Sequence, residues 1–378
     1  MTTEFEFRDP NGPDITNWAG YIQFLQGRGV GFDLVPVAEL LSMTPSARQK
    51  YDSARLEFLS DNIVVENETV QNITKTLETV MRLNHGKPTG GYGVFASAAA
   101  GRGKTTALHS VLREVLTAYL AHDPTCIVEN RCCPVAYICV PDSGTPKSVY
   151  MEIAGYLGVE CKPRDSDPVM RKIVLAGIAN SGIQVFVIDE VQNLENGGPF
   201  AKRAADAVRR LVDDTKANFI LAGINVEKTS IMSRTRGLQV ANRFIRAEVA
   251  DYGKRSVNWK GRWKGLVGAM ADALPLYGAT RDEMEPIAGQ LYEACGGSVQ
   301  ALNLMATQAS RQLIGLGDHT QETITLEKLQ GTLVNLATEQ HIRAKLERTR
   351  TRAAASARAT RRAKSSRAVK PEAATDAR

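Results

Sequence analysis

Short apolar segments alternate with longer amphipathic segments between residues 92 and 249. The apolar segments cover residues 92–97, 134–140, 183–188, 218–222 and 245–249, and each has the length and composition of a buried strand. Helical spacing marks the intervening residues 105–120, 146–157, 168–179 and 202–213. This alternation predicts an α/β fold in which a parallel sheet carries helices on both of its faces.

The segments on either side of this region are helical. Residues 66–84 place apolar side chains at helical spacing, and residues 36–41 and 46–59 predict two short helices. After Trp259, further helices are predicted at residues 263–274, 283–295, 299–314 and 326–336. We therefore divide the chain into an N-terminal extension (1–60), an α/β core (61–255), a small all-α domain (256–340) and a basic tail (341–378).

The tail carries the basic character of the whole chain. Twelve Lys/Arg against three Asp/Glu give residues 341–378 a net charge of +9, so the other residues carry −3 of the total of +6. The tail also has few large apolar residues, and such a segment cannot bury enough surface to fold alone. We predict that it is disordered. It could contact a DNA backbone or a partner protein, or it could simply be solvated.

Other features of the composition point to a cytoplasmic protein. The first residues are charged and include no apolar stretch of the signal-peptide type. No segment approaches the roughly 18 apolar residues of a membrane span. The six cysteines form no Cys-x-x-Cys pair, and no second ligand pair or histidine cluster supports a metal site near Cys126. We expect a reducing compartment.

The strongest chemical motif is a glycine-rich loop between the first predicted strand and the following helix. It matches the P-loop pattern, in which backbone N–H groups and a helix N-terminus surround phosphates. Lys104 would bind the β- and γ-phosphates of ATP, and the Thr105 hydroxyl would bind Mg²⁺. Ala98 stands where the pattern has its first glycine, which leaves the entry turn in question; a chance Gly-Lys-Thr sequence is the alternative. The predicted nucleotide-binding residues are Ala98, Gly101, Arg102, Gly103, Lys104, Thr105 and Thr106.

Two adjacent acids end the third, fully apolar predicted strand. Asp189 would hold the Mg²⁺ shell, and Glu190 would orient and polarise the attacking water, as in a Walker B motif. The alternative is a buried strand that merely ends in polar residues. The position of the acids, one strand and about 85 residues after the P-loop, favours the functional interpretation.

Two weaker candidates complete the predicted site. Asn225 follows the fourth strand, where a polar side chain can bond the γ-phosphate or the water; Thr229 is a second possibility, and a turn asparagine is the alternative. Arg243 belongs to a basic cluster before the last strand and could reach a neighbouring subunit's γ-phosphate as an arginine finger. A solvated face or a DNA phosphate contact is the alternative for the cluster, which comprises Arg234, Arg236, Arg243 and Arg246.

Together these motifs resemble those of AAA+ ATPases, over roughly residues 50–310. The Gly-Arg-Gly-Lys-Thr-Thr loop and the Asp-Glu pair carry the general resemblance. The Val-Gln-Asn-Leu extension after the acids and the Gln-Val-Ala-Asn-Arg-Phe segment ending at Phe244 are similar to the MuB/TniB/TnsC group, which regulates DNA transposition. Gln300 departs from the pattern, since a lid arginine is usual there, and residues 1–60 show no clear helix-turn-helix.

The resemblance implies an ATPase that assembles on duplex DNA, without sequence preference, as a ring or helical filament. It would recruit or activate a transposase, with a target-selection protein as a further partner, and residues 256–340 would be the lid. Two other classes stay open: a replication-initiator or helicase-loading AAA+ protein, and a signalling ATPase that oligomerises without DNA. The former usually adds a winged helix after the lid and the latter long repeats, and residues 315–378 match neither.

Overall fold

A five-stranded parallel sheet forms the centre of the molecule, as the alternating pattern predicts. The computed structural model describes residues 12–27, 31–60, 65–128, 132–233, 240–330, 332 and 338–340. The strands are β1 (Gly93–Ser97), β2 (Val135–Cys139), β3 (Val185–Asp189), β4 (Asn218–Gly223) and β5 (Phe244–Ala247). Their order across the sheet is β2-β3-β4-β1-β5, and every neighbouring pair is parallel.

The central strand β4 and its neighbour β3 show that the sheet is covered on both faces. Every residue of β3 and of β4 is buried, so neither strand has a solvent-facing side. Strand β4 lies between β1 and β3 in the sheet. The loops that leave the carboxyl ends of these three strands therefore meet at one edge, which is where ligands bind in open parallel sheets.

Two groups of helices cover this sheet. Helix α4 packs on α5 and α1 packs on α5, while α7, α8 and α9 pack on one another. Local signals set their ends: α7 begins after Thr145, whose side chain forms a capping box with Ser148, and it ends at Gly158 with φ of 67°. The helices up to β5 are α1 (Trp18–Gly27), α2 (Val37–Ser42), α3 (Pro45–Ser60), α4 (Glu68–Asn84), α5 (Lys104–His122), α6 (Thr125–Val128), α7 (Pro146–Leu157), α8 (Asp167–Ser181) and α9 (Ala201–Asp214).

A second hydrophobic cluster is built mainly from the helices that follow the sheet. Its largest member is Trp263, which is 1% exposed and donates its indole N–H to the Ala288 carbonyl at 2.8 Å. The helix predicted at 283–295 is interrupted, because Pro286 lacks an N–H and cannot continue a helix. The helices here are α10 (Trp259–Ala273), α11 (Arg281–Met284), α12 (Ala288–Cys295), α13 (Val299–Gly315) and α14 (Leu326–Gln330).

The N-terminal helices pack against both clusters. Tyr21 and Leu25 of α1 are buried with the residues of the sheet cluster. Leu59 of α3 instead joins the helical cluster, and α3 packs against α13. Within residues 12–60, α1 therefore contacts the sheet cluster and α3 the helical cluster.

Several sequence predictions fall outside the described residues. These are the basic tail at 341–378, Arg234 and Arg236, and most of the last predicted helix beyond Gln330. Within the described part, Cys126 and Cys132 form a disulfide across a Cα–Cα distance of 5.4 Å. The sequence-based expectation of a reducing compartment did not anticipate this bond. None of the described helices combines the length and the apolar character that crossing a lipid bilayer requires.

Candidate functional site

The glycine-rich loop joins β1 to the first turn of α5. Gly101 and Gly103 have φ of 74° and 78°, a region that residues with a Cβ avoid, and α5 begins at Lys104. Ala98 has no positive φ, and its N–H donates to the Gly223 carbonyl at 3.1 Å. The entry turn therefore needs no glycine at position 98, which answers the question that this departure raised.

Two P-loop residues are in direct contact with Asp189, the acid that ends β3. The Lys104 ammonium donates to Asp189 Oδ1, and the Thr105 hydroxyl donates to Asp189 Oδ2 at 2.9 Å. Asp189 is fully buried, and Lys104 is 7% exposed. The three groups leave the carboxyl ends of β1 and β3, on either side of β4. They supply a cation and the hard oxygen atoms that Mg²⁺ prefers.

Glu190 follows Asp189 in an unusual backbone conformation. Its φ of 56° places it in the left-handed region, where residues other than glycine are uncommon. Its N–H donates to Asp189 Oδ1 at 2.7 Å, and its Oε1 lies 3.4 Å from the Lys104 ammonium. Gln192 donates from its side-chain amide to Glu190 Oε2. The turn after β3 thus directs the second carboxylate into the same cleft as the first.

Sequence reasoning missed a buried tyrosine that supports Asp189. The hydroxyl of Tyr137, in the middle of β2, donates to Asp189 Oδ2 at 3.1 Å. Burial, and secondly the charge of Asp189, raises the pKa of Tyr137 far above its ordinary value, so the phenol remains a donor. The Tyr137 ring stacks on Tyr21 of α1, and its centroid lies 4.5 Å from that of His109. No motif marks these residues, because they come from three distant segments.

A cavity of about 410 Å³ opens above the P-loop, a volume within the ordinary range for small-molecule sites. Residues from the P-loop, Glu190 and the first turn of α13 supply its polar lining. Its apolar lining includes Val65, Val70 and Met270. With backbone N–H groups at one end and apolar side chains elsewhere, the cavity fits a nucleotide with Mg²⁺.

The helical cluster closes directly onto the P-loop. Arg102 donates to the Gly297 carbonyl at 2.7 Å and lies 3.5 Å from Asp251 Oδ1. The Val299 N–H donates to the Gly101 carbonyl at 3.2 Å. Gln300, at the position where a lid arginine is usual, lines the cavity together with Asn303. The side chain of Arg102 thus joins the P-loop to the helical cluster, and Arg102 also lines the cavity.

The two weaker candidates lie farther from the acids. Asn225 follows β4 with φ of 49° and is exposed; its neighbour Ile224 lines the cavity. Arg243 immediately precedes β5 and so lies at the amino-terminal edge of the sheet, whereas the P-loop lies at the carboxyl edge. There it donates to the Gly90 carbonyl at 3.0 Å and pairs with Asp213. This arginine is therefore remote from the cavity of its own chain.

Comparisons with known proteins agree with this architecture. Residues 90–231 match the family model of the AAA domain. No curated protein matches the chain in sequence. The fold is similar to that of the Aeropyrum pernix ORC2 protein in its ADPNP–ADP complexes, with a TM-score of 0.50, 14% identity, and coverage of 70% of this chain and 69% of that one.

The Aeropyrum pernix ORC1 protein in complex with DNA is similar as well. Its TM-score is 0.51 at 15% identity, over 78% of this chain and 68% of that one. Identities this low establish a shared fold alone. The chain therefore has the P-loop AAA+ type of α/β fold, with residues 90–231 matching the AAA domain.

Proposed function

We propose that this cleft binds Mg–ATP and hydrolyses it to ADP and phosphate. The observation that carries the proposal is the convergence of Lys104, Thr105 and Glu190 on one cavity at the carboxyl edge of the sheet. The buried Asp189 bonds to both Lys104 and Thr105 there. A cation, a hydroxyl and two carboxylates are the groups that phosphoryl transfer to water requires. Two adjacent acids also favour hydrolysis over transfer to a small molecule, which needs no activated water.

Each group has a separate task in the proposed reaction. Lys104 moves from the two carboxylates to the β- and γ-phosphates when nucleotide enters. Thr105 and Asp189 would hold Mg²⁺, which would supply positive charge to the phosphate oxygens. Glu190 accepts a proton from the water whose oxygen attacks the γ-phosphorus, and the bond to the β-phosphate oxygen breaks to release ADP. The backbone from Gly101 to Thr106 surrounds the phosphates.

The change Glu190→Gln tests the assignment of the water-activating group. It removes the base but keeps the side-chain volume, so we expect ATP affinity within about twofold and turnover reduced at least about 100-fold. Glu160→Gln is a matched control, because that side chain is 79% exposed and outside the cleft. Normal turnover by Glu190→Gln would contradict the assignment.

We further propose that hydrolysis takes place between subunits, with Arg243 as the finger supplied in trans. Its position away from the cavity of its own chain and its partial exposure, 26% of the side chain, support this role. An alternative is that Arg243 only fastens α9 to the sheet through Asp213. Asn225 would contact the γ-phosphate or the water from the end of β4.

Mixing two inactive variants separates these alternatives. Lys104→Ala has no functional P-loop but keeps Arg243, whereas Arg243→Ala keeps its P-loop. If the finger acts in trans, the mixture regains turnover that neither variant shows alone. Asp213→Ala is the control, since it removes only the carboxylate partner of Arg243 within the same chain and should retain activity. A mixture as inactive as its components would refute the trans role.

We propose that the assembled ATPase acts on duplex DNA as a regulator of transposition. Residues 61–255 would form the ATPase core and 256–340 the lid; the two hydrophobic clusters support this division. The motif resemblance to the MuB/TniB/TnsC group supports a transposase and a target-selection protein as partners. The +9 charge of residues 341–378 supports sequence-nonspecific contact with DNA phosphates.

The alternative is a replication-initiator or helicase-loading role. It is favoured by the fold shared with the ORC1 protein that was solved with DNA. The two roles predict different partners, a transposase or a replicative helicase, and stimulation of ATP turnover by one of them would decide. A signalling ATPase would respond to neither, nor to duplex DNA.

Electron microscopy with duplex DNA tests the assembly. With a non-hydrolysable ATP analogue we expect rings or filaments on DNA, and without nucleotide we expect none. Monomers under every condition would refute it. Deleting residues 342–378 should weaken DNA binding chiefly at low salt, because phosphate contacts release counterions. Unchanged binding would mean that the tail is merely solvated.

A further inference from the structure

The side chain of Gln192 connects the second acid to the loop after β4. Its Nε2 donates to Glu190 Oε2, and its Oε1 accepts the N–H of Ile224 at 2.9 Å. Ile224 lines the cavity and immediately precedes Asn225. One amide group therefore joins two segments of the candidate site that are about 30 residues apart in the sequence.

Gly223, the last residue of β4, has no side chain and so leaves room for the Gln192 amide. Gly223 has ordinary backbone, yet a Cβ built there would lie 2.3 Å from Gln192 Oε1 and 3.2 Å from the Val191 backbone nitrogen. Real Cβ atoms essentially never come within 3.0 Å of another atom, so the contact with Gln192 Oε1 would force a shift. Glycine at 223 and glutamine at 192 thus fit each other, and any larger residue at 223 would displace the glutamine.

We propose that Gln192 is a positioning residue for Glu190 in ATP hydrolysis. This inference rests on the proposed hydrolysis by the same cleft. Gln192 holds Oε2 of the carboxylate, which leaves Oε1 directed toward the Lys104 ammonium, 3.4 Å away in the cleft. When phosphates draw Lys104 away, Oε1 is free to accept the water proton.

The hydrogen bond from the Ile224 N–H fixes the side chain of Gln192. A free glutamine side chain would lose conformational entropy on fixing a carboxylate, but here its carbonyl is already held by a backbone N–H. The orientation of Glu190 therefore depends on the position of the loop after β4. Any movement of that loop is passed to the carboxylate that activates water.

Gln192→Met tests the proposal, because methionine has a similar length without either hydrogen bond. We expect kcat to fall roughly 10- to 100-fold, the range for a slightly misplaced catalytic group, with affinity for an ATP analogue within twofold. Asn193→Ala is the matched control: this neighbouring amide donates to the Val140 carbonyl at 3.0 Å and not to Glu190. Its kcat should stay within twofold of the wild-type value.

Hydrogen exchange tests the contact without any turnover. In nucleotide-free protein, Gln192→Met should speed exchange of the Ile224 amide, whereas Asn193→Ala should not. Gln192→Glu keeps the acceptor for Ile224 but places a like charge beside Glu190, so it should retain slow exchange and lose kcat. If Gln192→Met and Gln192→Glu both kept a kcat within twofold of the wild-type value, the proposal would be overturned.

A double-mutant cycle with Gly223 separates positioning from general disruption. Gly223→Ala alone should lower kcat about as much as Gln192→Ala, since it displaces the glutamine. The double variant should be no worse than Gln192→Ala. The glutamine side chain that the new Cβ at position 223 would displace is already absent from it. Losses that multiply would overturn the proposal. A wild-type protein that does not hydrolyse ATP would instead overturn the proposed function itself.

Discussion

A buried ion pair fastens the N-terminal helix α3 to the helical cluster. The side chains of Arg55 and Glu322 are both 0% exposed and are joined by two hydrogen bonds. Arg55 also donates to the Pro275 carbonyl, at 2.9 Å from Nε and 2.6 Å from Nη2, and to Asp52 at 2.9 Å. Arg55→Met would leave the Glu322 carboxylate buried without its cation.

The expected cost follows from this burial. Removing one partner of a buried pair typically costs about 3–5 kcal/mol, because the remaining charge has neither water nor a counterion. Arg48→Met is the matched control: Arg48 lies on the same helix and binds the same Asp52 at 2.7 Å, but its side chain is 20% exposed. For Arg48 we expect a loss of about 1 kcal/mol or less.

Urea denaturation of the single and double variants measures these losses. Arg55→Met combined with Glu322→Leu should be clearly less destabilised than the sum of its single variants, since the double variant leaves no unpaired charge. Near-equal losses for Arg55→Met and Arg48→Met would refute the reasoning. Additive losses in the double variant would also refute it, because they would show that the two side chains do not interact.

Two further predictions concern the P-loop and the strand beside it. Gly103→Ala should weaken ATP binding about 5- to 10-fold in calorimetry, because a residue with a Cβ adopts a φ of 78° at a cost of about 1 kcal/mol or more. Ala98→Gly, the control, should change ATP binding less than about twofold. Equal effects of the two changes would contradict this prediction. Burial raises the pKa of Tyr137 above its usual 10.0. Above pH 10 tyrosine therefore ionises in the unfolded chain before it does in the folded protein. The stability that Tyr137 contributes is present below pH 10 and is lost as the pH rises above 10. In Tyr137→Phe the free energy of unfolding should therefore fall less steeply above about pH 10, by up to ~1.4 kcal/mol per pH unit; an unchanged slope would contradict the burial argument.

Much of the fold was predictable because its signals are local. The alternation of apolar and amphipathic segments identified all five strands, since a buried parallel strand must be apolar along its whole length. The break in the helix predicted at 283–295 was also readable from Pro286, although the helical periodicity on either side concealed it. Lys104 and Asp189 were predictable because each belongs to a short motif beside a strand.

The supporting contacts of the site carried no signal of their role. Tyr137 looks like an ordinary strand residue in the sequence, and Gln192 belongs to the Val-Gln-Asn-Leu extension, which indicated a family resemblance but no contact. Outside the site, Arg55 looks like an ordinary helix residue. Arg55 and Glu322 are 267 residues apart, and Tyr137 reaches Asp189 across 52. Only the packing of the sheet and the closure of the helical cluster decide which distant side chains meet.

The sequence by itself thus determined the strand–loop–helix units and the chemical groups that each presents at its end. The tertiary structure decided how these units are ordered. With β4 between β1 and β3, the P-loop and the acids face each other across one strand, and Gln192 reaches from β3 to the end of β4. Strand order depends on long-range packing free energy, which no local pattern encodes.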